Sequence, residues 1–157
     1  MSSLLLSLTD TVRPEYQLFA VAGVIDGQLT GSAVEGEIEP PEDRRIAAGH
    51  DGLIIRTAYY DDVLHTVHNR FERWDGPPPV DGWEELWTGQ LLLRSALIGV
   101  EAWAADYSHH MEFDLGQGDN TWSTRVATKI LQTEQEPGFP DAIARIELYK
   151  IQFWAKQ

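Results

Sequence analysis

Hydrophobic positions in this chain recur at every second residue far more often than at every third or fourth. In EYQLFAVAGVI (15–25), Tyr16, Leu18, Ala20, Ala22 and Val24 share one face, which predicts a strand. DGLIIRTAYY (51–60) predicts another from its β-branched and aromatic content. Asp61 and Asp62 suit a tight turn into VLHTVHNRFERW, where Val63, His65, Val67, Asn69 and Phe71 alternate with Leu64, Thr66, His68 and Arg70. Further strands are expected over 83–95, 99–107, 110–115, 121–131 and 144–154. The alanines of 99–107 favour no strand by themselves, but the neighbouring segments do.

The stretches between these runs read as turns and loops. Residues 26–45 are rich in glycine, proline and acid and have room for a short edge strand at most, while 42–49 suits one helical turn closed by Gly49. ERWDGPPPVDGWEELW (72–87) places a proline corner between two strands, and 116–120 and 132–141 are loops by composition. Seven or eight strands with closely spaced turns and no long amphipathic helix predict an all-β fold, a single-domain antiparallel β-sandwich over 1–157. No repeat, low-complexity tract or linker divides the chain.

At 157 residues the chain falls within the usual size of one domain, and 43% hydrophobic with 24% charged residues is a globular balance. With no cysteine there is no disulfide, thiolate nucleophile or thiolate metal site. The opening MSSLLLSLTDTVRP has too short an apolar run, and no basic flank, for a secretory signal. No segment reaches the roughly 18 apolar residues of a membrane helix. The chain reads as soluble and cytoplasmic.

The formal charge of −13 changes this picture most. Such a field repels a phosphate backbone, so direct nucleic-acid binding is disfavoured. Solubility alone is one sufficient explanation, and a basic protein partner is the other. The distribution is uneven: Asp26, Glu35, Glu37, Glu39, Glu42 and Asp43 follow one another without a lysine or arginine between them. Glu101, Asp106, Glu112, Asp114 and Asp119 likewise accumulate, while Arg125, Lys129, Arg145, Lys150 and Lys156 gather near the end.

Candidate chemistry is sparse. His65 and His68, three apart on an expected strand, point to opposite faces. His109 and His110 diverge in a strand as well, although a turn could bring them together with Asp114 in a metal site. No G-x-S-x-G elbow, phosphate loop, dinucleotide fingerprint or complete calcium loop occurs, and no cofactor is implied. Trp87, Trp103, Trp122 and Trp154 fall inside expected strands as core or half-buried residues whose indole N–H groups find partners. Trp74 and Trp83 flank the prolines, either as a clasp that fixes the corner or as exposed anchors in an acidic rim.

The order of segments resembles the competence-associated nuclease inhibitors of the ComJ type. YQLFAV (16–21) is similar to that family's opening strand, and AAGHDGLIIRTAYY (47–60) to its glycine turn and hydrophobic strand. EELWTGQLLLRS (84–95), IGVEAW (98–103), FDLGQGDNTW (113–122) and LYKIQFW (148–154) follow in the same order. The chain departs from the pattern at Gly116, where the family has proline, and in its longer 72–83 corner. The resemblance implies a non-catalytic protein that binds and blocks a nuclease. No inhibitory residue carries over by motif. From charge and aromatic content, the expected partner-binding set is Trp74, Asp75, Asp81, Trp83, Glu84 and Glu85. The alternatives are a small-ligand or carbohydrate-binding sandwich stacking on Trp74 and Trp83, and a metal-dependent enzyme around His109 and His110.

Overall fold

The computed structural model of the protein describes residues 1–12, 17–58, 66–79, 82–102, 109–130, 136–140 and 146–155. Eleven strands run through them: β1 (Leu4–Val12), β2 (Leu18–Ile25), β3 (Gln28–Leu29), β4 (Ile46–Ala48), β5 (Gly52–Arg56), β6 (Thr66–Trp74), β7 (Glu84–Leu93), β8 (Leu97–Ala102), β9 (His109–Asp114), β10 (Asn120–Ile130) and β11 (Ile146–Ala155). The first sheet has the order β1-β6-β11-β10-β7; the second has β4-β5-β2-β8-β9, with β3 beside β2. The described residues contain no helix, so the expected all-β sandwich is the observed fold.

The period of two sets the core. Phe71, Tyr149, Ile151, Phe153, Trp122 and Val126 of the first sheet meet Phe19, Val21, Leu53, Ile55, Ile98 and Val100 of the second in one buried cluster. Phe71 packs edge-on against Phe153 at 6.0 Å between ring centroids, and Phe19 against Tyr149 at 5.4 Å. At one end of this interior Glu147 is fully buried, accepting bonds from the Tyr149 hydroxyl, the Arg45 guanidinium and the Ala58 N–H. Burial pushes the Tyr149 hydroxyl well above its ordinary pKa, and the neighbouring Glu147 charge adds to the rise.

Three features depart from the sequence expectations. Residues 46–48 form β4 rather than part of a helical turn, because Ile46, Ala47 and Ala48 pair with Ile55, Ile54 and Leu53. The N-terminal segment is a full edge strand, β1, whose Val12, Leu8 and Leu6 lie opposite Val67, Phe71 and Arg73. Finally, β6 and β11 are parallel, from Thr66 opposite Ile146 to Trp74 opposite Trp154. A parallel pair needs a long crossing connection. Here 71 residues lie between the end of β6 and the start of β11, so no local turn signal could reveal the pairing. The Asp61-Asp62 turn, Val63, His65, Asp81, Trp103 and Asp106 lie outside the described residues, as does Tyr16.

Both sheets are also covered on their outer faces by irregular chain. Residues 75–79, 82–83 and 136–140 lie on the first, and residues 30–41 lie on the second.

Candidate functional site

On the first sheet's outer face the proline corner is a strap laid along the strands. Trp74 pairs with Trp154, which pairs with Ser123 on β10, whereas Glu84 pairs with Thr128 on the same strand. Five residues of β10 therefore separate the strap's two ends, about 17 Å at a strand's rise per residue. Trp74 and Trp83 do not share a site.

The described parts of the strap are fastened. At its start the Ser3 N–H donates to Asp75 Oδ1 at 2.6 Å and the Asp75 N–H to the Ser3 carbonyl at 3.1 Å. In the middle the Pro79 carbonyl accepts from Arg125 Nη2 at 3.1 Å. At its end Trp83, 9% exposed, stacks on Phe139 with centroids 5.5 Å apart and packs over Ala127 and Leu148. The Trp83 indole N–H donates to Glu136 at 3.1 Å, and the Lys150 ammonium sits 4.4 Å from the ring centroid. Trp83 is the clasp of the two readings left open by the sequence.

The bases under the strap are occupied. Glu72 is buried and accepts from Arg70 Nε at 2.8 Å, Gln152 Nε2 at 2.8 Å and the Trp74 indole at 3.0 Å. Gln152 in turn accepts from Arg125 Nε at 2.8 Å, so a chain of bonds crosses β6, β11 and β10 to the strap. Lys129 bonds both oxygens of Glu136 at 3.1 Å. His68, on the same face, shares a hydrogen bond with the Thr11 hydroxyl at 2.9 Å. Its pKa is lowered, chiefly by burial, against the raising effect of Asp10.

The second sheet's outer face is built from small residues. Leu18, Ala20, Ala47 and Ile54 receive Ala33, with Val34 and Ile38 packed against them. Gly49 and Gly52 permit this close approach. A Cβ at Gly49 would lie 2.5 Å from Ser32 Oγ and 2.6 Å from Ile38 Cδ1, and one at Gly52 would lie 3.0 Å from Ala33 Cβ. Asp51 secures the segment by accepting from the Ser32 N–H at 3.0 Å and from its hydroxyl. The segment's apolar residues face the sheet, while Glu35, Glu37, Glu39, Glu42 and Asp43 are exposed. None of these five carboxylates has a hydrogen-bond or ion-pair partner among the described residues. A cleft of about 420 Å³ opens beside Glu35 and Glu37, bordered by His50, Asp51 and Arg94.

The five described residues of the six expected to bind a partner are thus dispersed. Glu84 and Glu85 are exposed at the start of the edge strand β7, and Asp75 is exposed at the strap's far end. Trp74 is half-buried over Glu72, Trp83 is buried, and Asp81 lies outside the described residues. Sequence reasoning noted the acids of 26–43 but did not include them in the set. Their signal was the absence of any base among them. His109 and His110 lie on β9, their side chains outside the described residues, and Asp114 closes a turn by accepting from the Gly116 N–H at 2.7 Å.

No family model matches the chain, and no curated protein matches it in sequence. In fold it is similar to the crystal structure of ComJ, inhibitor of the DNA degrading activity of NucA, from Bacillus subtilis, with a TM-score of 0.57 over 99% of each chain and 15% identity. At that identity the likeness is one of fold.

Proposed function

We propose that this chain is a non-catalytic inhibitor that occupies the basic surface of a partner protein, a DNA-degrading nuclease being the partner class that the ComJ-like fold favours. The observation that carries the reading is the sorting of charge between the two outer faces. On the first sheet's outer face Arg70, Arg125 and Lys129 are bonded to acceptors within the chain, and Lys150 lies over the Trp83 ring. Glu35, Glu37, Glu39, Glu42 and Asp43, on and just after the second sheet's covering segment, have no partner among the described residues and stand in solvent. A nuclease must hold a polyanion, so its cleft presents cations at phosphate spacing, and a fixed row of carboxylates can occupy that cleft in place of phosphate. In this role Glu35, Glu37, Glu39, Glu42 and Asp43 form the principal contact set. Glu84, Glu85 and Asp75, with Asp81, form a secondary one, and Trp74 and Trp83 hold the strap that presents the latter.

The test is a DNA-degradation assay with a NucA-type nuclease from the same cell, titrated with the purified chain. Stoichiometric loss of cleavage that is relieved as salt is raised is the expected result. Full cleavage at a molar excess of the chain, at low salt, would overturn the nuclease reading.

A further inference from the structure

Arg70 and Arg73 lie three residues apart on β6 and point to opposite faces of the sheet. Arg70, outward, bonds Glu72, the Thr9 hydroxyl at 3.2 Å and the Gly138 carbonyl at 3.4 Å. Arg73, inward at the open end of the sandwich, bonds nothing among the described residues, and its Nε is enclosed without an acceptor. Trp122, 4% exposed on β10, two strands away in the same sheet, has an indole N–H in the same condition. Both residues line one hollow of about 290 Å³, walled by Leu5, Trp74 and Leu115. The guanidinium lies against Gly116, where a Cβ would come within 2.3 Å of Nη1 and where φ is +83°. Any side chain at 116 would therefore displace the arginine as well as strain the turn.

Arg73 is half-buried as a whole, but an enclosed donor without an acceptor, such as its Nε or the Trp122 N–H, costs free energy. In a chain with 25 acids an unpaired arginine is not for want of partners. Asp75 also borders the hollow, but its Oδ1 is bonded to the Ser3 N–H, and it forms no ion pair with Arg73. Among the described residues no carboxylate reaches Arg73, and beside it the walls offer apolar and aromatic surface. Its volume is at the lower end for ligand clefts, roughly 300–1,000 Å³, and suits one ring or one residue.

We propose that this hollow is a binding subsite for a carboxylate carried on a flat or apolar body. The guanidinium takes both oxygens as the side chain turns outward, the Trp122 N–H supplies a further donor, and Trp74 covers the apolar part. The subsite stands apart from the acidic face, since it recognises the opposite charge. Failure of the nuclease assay would leave it untouched.

The experiment follows the indole N–H signals of the ¹⁵N-labelled full chain by NMR during titration with benzoate and, separately, benzamide. One indole signal, absent in Trp122→Phe, is expected to shift saturably with benzoate, and benzamide should bind about tenfold more weakly or worse, the loss that follows when a charge-assisted contact is removed. Arg73→Met should abolish the shift. The benzoate–benzamide pair on the unaltered chain gives the answer even if that variant does not fold. A phenylalanine-ended dipeptide with a free terminus, set against its amide, separates the sources. Tighter binding than benzoate assigns the carboxylate to a protein chain end, and weaker binding assigns it to a free acid; either supports the subsite. No saturable shift with any carboxylate, equal binding of benzamide, or an undiminished shift in Arg73→Met would overturn it.

Discussion

The two outer faces of the sandwich are both covered by irregular, proline-containing chain, yet they are covered in opposite ways. The 75–83 strap is held by polar bonds and an aromatic clasp, and the bases beneath it are occupied. The 30–41 segment is held by small apolar residues and two glycines, and its acids face solvent without partners among the described residues. The strap is fastened through Asp75, the Pro79 carbonyl and Trp83, over bases that already have acceptors. A loop fastened through its apolar residues keeps every charge available, at a fixed position. That difference, rather than the total of −13, makes one face a candidate for recognition and the other a structural brace.

The contrast can be broken from either side. Removing the clasp has the largest expected effect: Trp83→Ala empties a packed cluster with Phe139, Leu148 and Ala127 and should cost about 3–5 kcal/mol in urea unfolding. If Trp83 were an exposed anchor, stability would hardly change and partner binding would fall instead. On the other face, Gly49→Ala forces a methyl group against Ser32 and Ile38 and should cost about 1–3 kcal/mol. Limited proteolysis should then cut within 30–41 before it cuts the strap; the reverse order would show that the glycine does not hold the acidic segment down. The smallest effect on stability belongs to the charges themselves. Converting Glu35, Glu37, Glu39 and Glu42 to Gln together with Asp43→Asn should leave unfolding within about 0.5 kcal/mol of the parent, because these side chains stand in solvent. Association with a basic partner at low salt should nevertheless slow by about tenfold or more. The same change at Glu84 and Glu85 should slow it less, and an equal effect from that pair would move the recognition face to the edge of β7.

Much of the fold was legible because alternation is a local property. The runs at 15–25, 51–60, 83–95 and 121–131 were recognisable from their own residues, and β2, β5, β7 and β10 lie within or across them. β1 also carries the alternation, with Leu6, Leu8 and Val12 against Ser7, Thr9 and Thr11, but its opening run LLLSL has leucine on both faces and blurs the period. The helical turn expected at 42–49 failed because Ala47 and Ala48 take their conformation from pairing with β5, a tertiary override of propensity. The candidate site was legible only in part. The acidity of ERWDGPPPVDGWEELW suggested one surface, but Glu72 is buried beneath the strap against Gln152, 80 residues away, and Trp83 bonds Glu136, 53 residues away.

The sequence by itself determined that the chain would fold as β-structure and that its surface would be acidic. The side-chain period of a strand and the count of carboxylates need nothing beyond neighbours in the chain. Which carboxylates are consumed and which remain available was decided only in three dimensions, as were the parallel pairing of β6 with β11 and the isolation of Arg73. Each depends on whether a donor or acceptor arrives from a distant strand, and a hydrogen bond acts over about 3 Å of space, however many residues of chain lie between its ends.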